Sequence, residues 1–240
     1  MRFLTALPVF NEEKYLDEVL PRVVRNAGDV LVVDDGSTDS TPELLRKRDD
    51  IRFVRHETNG GYGAALLTAF RETVAGGYDA LVTIDCDGQH EPQLIPSLVA
   101  ELTNQNADIV SGSRYLDTYD PSAPPPEDRR RINMTVLGWL RNELGIELTD
   151  AFCGFKAYRA GVLDAFDIHD KGYAMPLEVW VQAVAAKMKI VEMAVPLIYL
   201  DASRSFGGSL DDSDFRLKHY RKVFDQAVAR SSLSARSRES

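Results

Sequence analysis

Asp85 and Asp87 stand one residue apart in "TIDCDGQHEP", directly after an apolar run, with Gln89 and His90 following at once. Side chains alternate along a strand, so two aspartates at this spacing project to one side and Cys86 to the other. Two carboxylates beside the amide oxygen of Gln89 form a hard-oxygen set suited to Mg²⁺ or Mn²⁺. Mg²⁺ keeps several waters and shares substrate phosphates, so it asks for few protein ligands. Cys86 and His90 are poor ligands for such an ion, and His90 is expected to cap a helix or bond a phosphate. The competing reading is a surface turn with unrelated acids.

Two further groups carry chemistry. "VVDDGSTDSTPE" places Asp34 and Asp35 at a strand end, with Ser37, Thr38 and Asp39 where a helix N-cap is expected. Adjacent acids exceed what a cap requires, and carboxylates accept well from base N–H groups and ribose hydroxyls, which suggests a nucleoside site. Arg114 ends "SGSR", and Arg129, Arg130 and Arg131 open a predicted helix. Cations at a helix N-terminus oppose its dipole and so need an anion or a carboxylate partner. Guanidinium forks suit phosphate, although a solvated charge run is the plainer alternative.

The elements that must position these groups alternate. Residues 2–7, "DVLVVDDG", "IRFVRH", "YDALVTID" and "ADIVSGS" read as strands, separated by runs with helical periodicity such as Tyr62, Leu66, Ala69, Phe70 and Val74. Alternation of this length predicts an α/β fold, a Rossmann-like, mostly parallel central sheet with helices on both faces. Ligands then sit beyond the carboxyl ends of the strands, where Asn11, Glu12, Asp34, Asp35, Asp85 and Asp87 fall. The pattern changes after residue 115. A proline-rich stretch, 116–128, reads as a mobile surface loop. It precedes a helix over about 130–144, the stretch "TDAFCGFKAYR", a helix marked by Leu177, Trp180, Val181, Val184 and Met188, a strand in "IVEMAVPLIYL", and a last helix carrying Tyr220, Val223, Phe224 and Ala227. Residues 231–240 are expected to be a disordered tail.

Bulk composition narrows the classes. With 240 residues and 44% hydrophobic content, the chain can bury a full single-domain core. A formal net charge of −9 argues against binding nucleic acid through overall charge. Two cysteines, Cys86 and Cys153, make no disulfide framework and no zinc spacing. Without a signal-like leader or a run of about 18 apolar residues, the sequence reads as cytoplasmic, or peripheral on the cytoplasmic face of a membrane. Neither G-x-G-x-x-G after the first strand nor G-x-x-x-x-G-K-[ST] occurs, which disfavours dehydrogenase and P-loop readings.

Taken together, "PVFNE" (8–12), "VVDDGSTD" (32–39), "NGGYGAA" (59–65), "DCDGQH" (85–90), "GSRY" (112–115), "RRINM" (130–134), "DAFCGFK" (150–156) and "RSFGGS" (204–209) appear in the order that resembles family 2 glycosyltransferases of GT-A fold. Within them the chain is most similar to polyprenyl-phosphate glycosyltransferases of the dolichol-phosphate mannosyltransferase type. The resemblance implies one GT-A domain over 1–230, with residues 1–115 serving the nucleotide-sugar and 116–230 the acceptor. It implies that Pro8, Phe10, Glu12, Val33, Asp34, Asp35, Asp85 and Cys86 hold the nucleotide-sugar, with Arg204 closing on its diphosphate. Asp85, Asp87 and Gln89 would hold Mg²⁺ or Mn²⁺; Arg114, Arg130 and Arg131 would hold the acceptor phosphate. Asp87, Arg114 and Arg131 would be catalytic. Phe10 stands where tyrosine is commoner, and Leu210 where the family often has lysine.

The implied reaction is inverting transfer of a hexose, mannose or glucose, from GDP-mannose or UDP-glucose to polyprenyl phosphate. A phosphate acceptor is already ionised near neutral pH and needs positioning more than a general base. The first alternative is transfer to a saccharide or other hydroxyl, with Asp150 or the Glu127/Asp128 pair as base. The second is a non-catalytic sugar-nucleotide binder. The helix with Ile132, Val136, Leu137, Trp139 and Leu140 is either a membrane contact or a buried core helix.

Overall fold

The computed structural model describes residues 1–117, 124–198, 208–231 and 233. Arg204, most of the 116–128 loop's centre (118–123) and nearly all of the 231–240 tail lie outside the described residues.

Seven strands form one sheet in the order β3-β2-β1-β4-β6-β5-β7. They are β1 (Phe3–Val9), β2 (Asp29–Asp34), β3 (Arg52–Arg55), β4 (Ala80–Thr83), β5 (Ile109–Ser113), β6 (Lys156–Arg159) and β7 (Ile190–Ala194). All neighbours pair in parallel except β6, which runs antiparallel to both β4 and β5. The sheet is therefore mixed α/β and mostly parallel, as the alternation predicts. The exception matters: a strand from the second half of the chain is inserted between two from the first, so both halves share one sheet. β6 is "KAYR", with no apolar run to announce it as there is in β4.

Among the described residues, seven α-helices accompany the strands: α1 (Glu13–Asn26), α2 (Thr41–Arg46), α3 (Tyr62–Ala75), α4 (Ile95–Asn104), α5 (Glu127–Trp139), α6 (Met175–Ala185) and α7 (Ser213–Arg230). Alternate residues of the central strands feed two cores. Leu4, Ala6, Leu31 and Val33 join Phe70, Trp180 and Phe224 on one face. Leu7, Val9, Val30 and Val32 join Leu16, Leu20 and Leu98 on the other. Burial on both faces is why β1 and β2 read as continuous apolar runs.

Two helical expectations change. Of Ser37, Thr38 and Asp39, only Asp39 meets helix starts: its carboxylate accepts from Thr41 N–H, the first amide of α2, at 2.9 Å and from Glu13 N–H, the first of α1, at 3.2 Å. The helix expected over 130–144 begins at Glu127 and ends in a π turn, Leu140–Leu144, closed by Gly145. Its residues Ile132, Val136, Leu137 and Leu140 are buried, which makes α5 a core helix. No helix among the described residues is long and apolar enough to cross a membrane.

Candidate active site

A cavity of about 760 Å³ opens at the carboxyl ends of β1, β2 and β4. Here the strand order turns back between β1 and β4, the place where open parallel sheets bind ligands. Pro8, Phe10, Glu12, Asp35, Asp85, Cys86, Asp87, Gln89 and Arg114 all line it. Residues spread over more than a hundred positions therefore meet in one space, as the strand-end argument requires.

One end is built from loops that bond each other through backbone amides. Asn11 adopts a left-handed conformation (φ 56°), and its Oδ1 accepts from the amides of Thr38 and Asp39 at 2.8 and 3.3 Å. Ser37 Oγ accepts from Asn11 N–H, and Thr41 Oγ1 from Glu12 N–H, both at 2.9 Å. The Ser37 hydroxyl, expected at a helix cap, instead joins "PVFNE" to "DDGSTD". Asp35 lines the cavity and organises the third loop. It accepts from Gly61 N–H at 2.6 Å, from Gly60 N–H at 3.0 Å, and pairs with His56 Nδ1 at 2.6 Å. Gly61 holds φ 98°, and a Cβ there would lie 2.3 Å from the Lys171 carbonyl oxygen, so "NGG" is required rather than incidental. Phe10 stays 42% exposed at this end, a ring face open for stacking.

The structure separates the two adjacent acids. Asp34 is fully buried and does not line the cavity; its Oδ1 accepts from Ser37 N–H at 2.9 Å and its Oδ2 lies 3.2 Å from Arg55 Nε. Consecutive residues at a strand end point to opposite sides, so only Asp35 reaches the expected site. Val33 is likewise corrected: its side chain belongs to the core and is absent from the cavity wall.

At the centre, Asp85 and Asp87 both line the cavity, but β4 ends at Thr83, so a bend beyond the strand places them rather than strand alternation, and Cys86 lines the cavity with them. Asp85 accepts from the Tyr62 hydroxyl at 3.1 Å. Burial, then the nearby Asp85 charge, raises the Tyr62 pKa well above the ordinary phenol value, keeping that hydroxyl a donor. Gly154 lies against Asp85, where a Cβ would come 2.1 Å from Oδ2; the glycine of "DAFCGFK" makes room for the carboxylate. Asp87 Oδ1 accepts from Gln89 N–H at 3.0 Å, a local turn that orients both side chains. His90 packs on Phe155, with Nε2 3.5 Å from Asp85 and Nδ1 buried without a hydrogen-bond partner among the described residues. No group of three or more His, Cys, Asp or Glu able to hold a metal occurs among the described residues. Two carboxylates and one amide oxygen suit a hard divalent ion that keeps water and takes phosphate oxygens, and do not suit a closed all-protein site.

The far end is cationic. Arg114 forks onto Asp150, with Nε and Nη2 at 2.7 and 3.0 Å. Burial pushes the Asp150 carboxyl up, but the Arg114 guanidinium and the Phe152 amide outweigh it and hold it below the ordinary value. Glu192 braces this turn by accepting from the amides of Thr149 and Asp150. Behind it Lys156 donates to the Cys153 carbonyl and faces the Trp180 ring at 5.4 Å. Burial holds the Lys156 pKa below the ordinary amine value and pushes the Cys153 thiol up to about 11, so Cys153 stays a neutral thiol.

The arginine triplet divides. Arg129 lines the cavity, whereas Arg130 and Arg131 do not. Arg131 bonds Ser213 Oγ and Asp214 at 2.8 and 3.0 Å, on the outside where α5 meets α7. The carboxylate partner demanded by the dipole argument is present, and it turns Arg131 away from the expected site. Sequence reasoning also missed Arg216, a cavity residue that is only 2% exposed. The available signal was periodicity: Arg216 falls four residues before Tyr220 on the buried stripe of α7.

Residues 5–166 match the model for "Glycosyl transferase family 2". The chain is 33% identical to the undecaprenyl-phosphate mannosyltransferase of Micrococcus luteus over 89% of this chain and 91% of that one. It is 30% identical to the polyprenol monophosphomannose synthase of Mycolicibacterium smegmatis, covering 91% and 86%. Among solved structures, glucosyl-3-phosphoglycerate synthase from Mycobacterium tuberculosis, in complex with Mn²⁺, UDP-glucose and phosphoglyceric acid, superposes with a TM-score of 0.71 at 21% identity, covering 95% of this chain and 80% of that one. That likeness shows the fold, GT-A. The chain is a glycosyltransferase and belongs to glycosyl transferase family 2.

Proposed function

We propose that this glycosyltransferase moves a hexose, mannose or glucose, from a nucleotide-sugar to a polyprenyl phosphate, with inversion at the anomeric carbon. The observation that carries this reading is the charge layout of this cavity: acids at its centre, and Arg114, Arg129 and Arg216 at its far end. The mannosyltransferase relatives supply the substrate class.

Phe10 stacks on the base, and Glu12 and the loop ordered by Asp35 bound the ribose. Asp85 and Asp87, with Gln89 third, would hold Mg²⁺ or Mn²⁺, which neutralises charge building on the departing nucleoside diphosphate. Tyr62 keeps Asp85 aimed at that position. Arg114, pinned by Asp150, and Arg129 orient the acceptor phosphate so that one oxygen faces the anomeric carbon opposite the leaving group. Arg204 remains the proposed closing residue on the diphosphate.

The alternative of a hydroxyl acceptor needs a general base. Asp150 and Asp128, two candidates for it, are each bonded by an arginine, and Asp150 is held below the ordinary carboxylate pKa. Both features oppose proton uptake. A polyprenyl acceptor also requires the chain to meet a membrane surface, so peripheral association at the cytoplasmic face belongs to the same proposal. The test is incubation with Mg²⁺ or Mn²⁺, labelled GDP-mannose or UDP-glucose, and polyprenyl phosphate. Labelled lipid is the expected product; label found only on a hydroxyl acceptor defeats the reading.

A further inference from the structure

We propose that Arg216 is a positioning residue that fixes the acceptor end of the cavity. The proposal rests on the reading that a phosphate acceptor binds there.

The side chain of Arg216 is 3% exposed. Its Nη1 donates to the Leu210 carbonyl and its Nη2 to Asp128 Oδ2, both at 2.8 Å. Leu210 belongs to the short helical turn Gly208–Asp211, and Asp128 to the first turn of α5. Each anchor carries a cavity residue: Leu210 itself, and Arg129 next to Asp128. One guanidinium therefore ties α5 to α7 and to the 208–211 turn that leads into α7, two parts of the chain that meet only through tertiary packing.

The chemistry of the side chain matches this use. Guanidinium presents its donors in a rigid fork, so two bonds at a fixed angle locate both acceptors. A lysine is a point charge on a flexible stem and cannot set that angle. Stability alone does not call for a cation here. Arg216 lies on the stripe that buries Tyr220, Phe224 and Ala227, where an apolar side chain would avoid the desolvation cost of a buried charge. What the guanidinium adds is geometry, the angle at which the first turn of α5 presents Arg129.

The test uses the full chain with Arg216→Gln, Arg216→Lys, Asp128→Asn and the double variant Arg216→Gln/Asp128→Asn. Amide hydrogen exchange reads the positioning directly. Arg216→Gln should speed exchange at least tenfold across residues 127–135 and 208–211, with residues 85–90 unchanged. Steady-state transfer should show the polyprenyl-phosphate KM rising about tenfold while kcat changes less than threefold. Arg216→Lys should share that rise, and the double variant should be no worse than Arg216→Gln, because one lost bond cannot be lost twice. Unchanged exchange at 127–135, a uniform speed-up of the whole chain, or a wild-type KM in Arg216→Lys would each overturn the proposal. If the wild-type chain glycosylates no polyprenyl phosphate, the functional reading fails and the exchange pattern alone decides the positioning role.

Discussion

At the proposed nucleotide end of the cavity, Asp35 and Asn11 accept hydrogen bonds from backbone amides of loops that follow neighbouring parallel strands. At the opposite end, Asp150 and Asp128 accept from guanidinium groups 36 and 88 residues away in the chain. Side-chain oxygens held by backbone amides fix loop shape and leave ligand contacts to rings and backbone. Guanidinium-held carboxylates fix a cation and tune its charge. The first arrangement depends on strand order alone, the second on where helices pack, so the two ends should respond differently to substitution.

The largest effect is expected at Asp150. Asp150→Ala strands Arg114 against a buried site and should cost about 3–5 kcal/mol in urea unfolding. A loss below about 1 kcal/mol would show that the two ends are alike. The same residue sets an acid limit. Its folded pKa lies below the ordinary 3.8, so its stabilisation is complete above that value and is lost as pH falls through the lower folded value. Asp150→Asn should flatten that part of the stability–pH curve.

Next comes the shared centre. Asp87→Ala should lower kcat/KM for sugar transfer by about 100-fold or more, the scale of losing one preorganised charge-stabilising group. Circular dichroism and the melting temperature should be unchanged. Full transfer activity in this variant would remove Asp87 from the proposed metal site.

Asp35→Ala tests the amide-built end. It leaves the Gly60 and Gly61 amides without their carboxylate and should cost about 1–3 kcal/mol. Titration calorimetry should show weaker nucleotide binding, while exchange at the Arg114–Asp150 turn stays as in the wild type. Coupled loosening of both ends would break the comparison. The smallest effect belongs to Arg131→Ala. Its pair with Asp214 is exposed on both sides, so chemical denaturation should register less than about 1 kcal/mol.

Much of the first end was legible in the sequence. Strand ends in a parallel sheet share one edge, so Glu12, Asp35 and the Asp85–Gln89 segment could be brought together by counting strands. Which of two adjacent acids faces the cavity was not legible, because consecutive residues point to opposite sides and only packing shows which side is open. The second end was only partly legible. Arg114 follows a strand and could be placed. The triplet at 129–131 could be located but not resolved, since helix rotation against α7 turns Arg129 inward and Arg131 toward Asp214.

The sequence by itself determined the α/β alternation, the sheet edge that carries the cavity, and the pair of carboxylates just beyond one of its strands. These follow from periodicity and strand-end chemistry, which are local. Only the tertiary structure decided that β6 enters antiparallel between β4 and β5, that Gly154 makes room for Asp85, and that Arg114 and Arg216 are held by Asp150 and Asp128. Those outcomes depend on packing between segments far apart in the chain, and neither spacing nor composition carries that information.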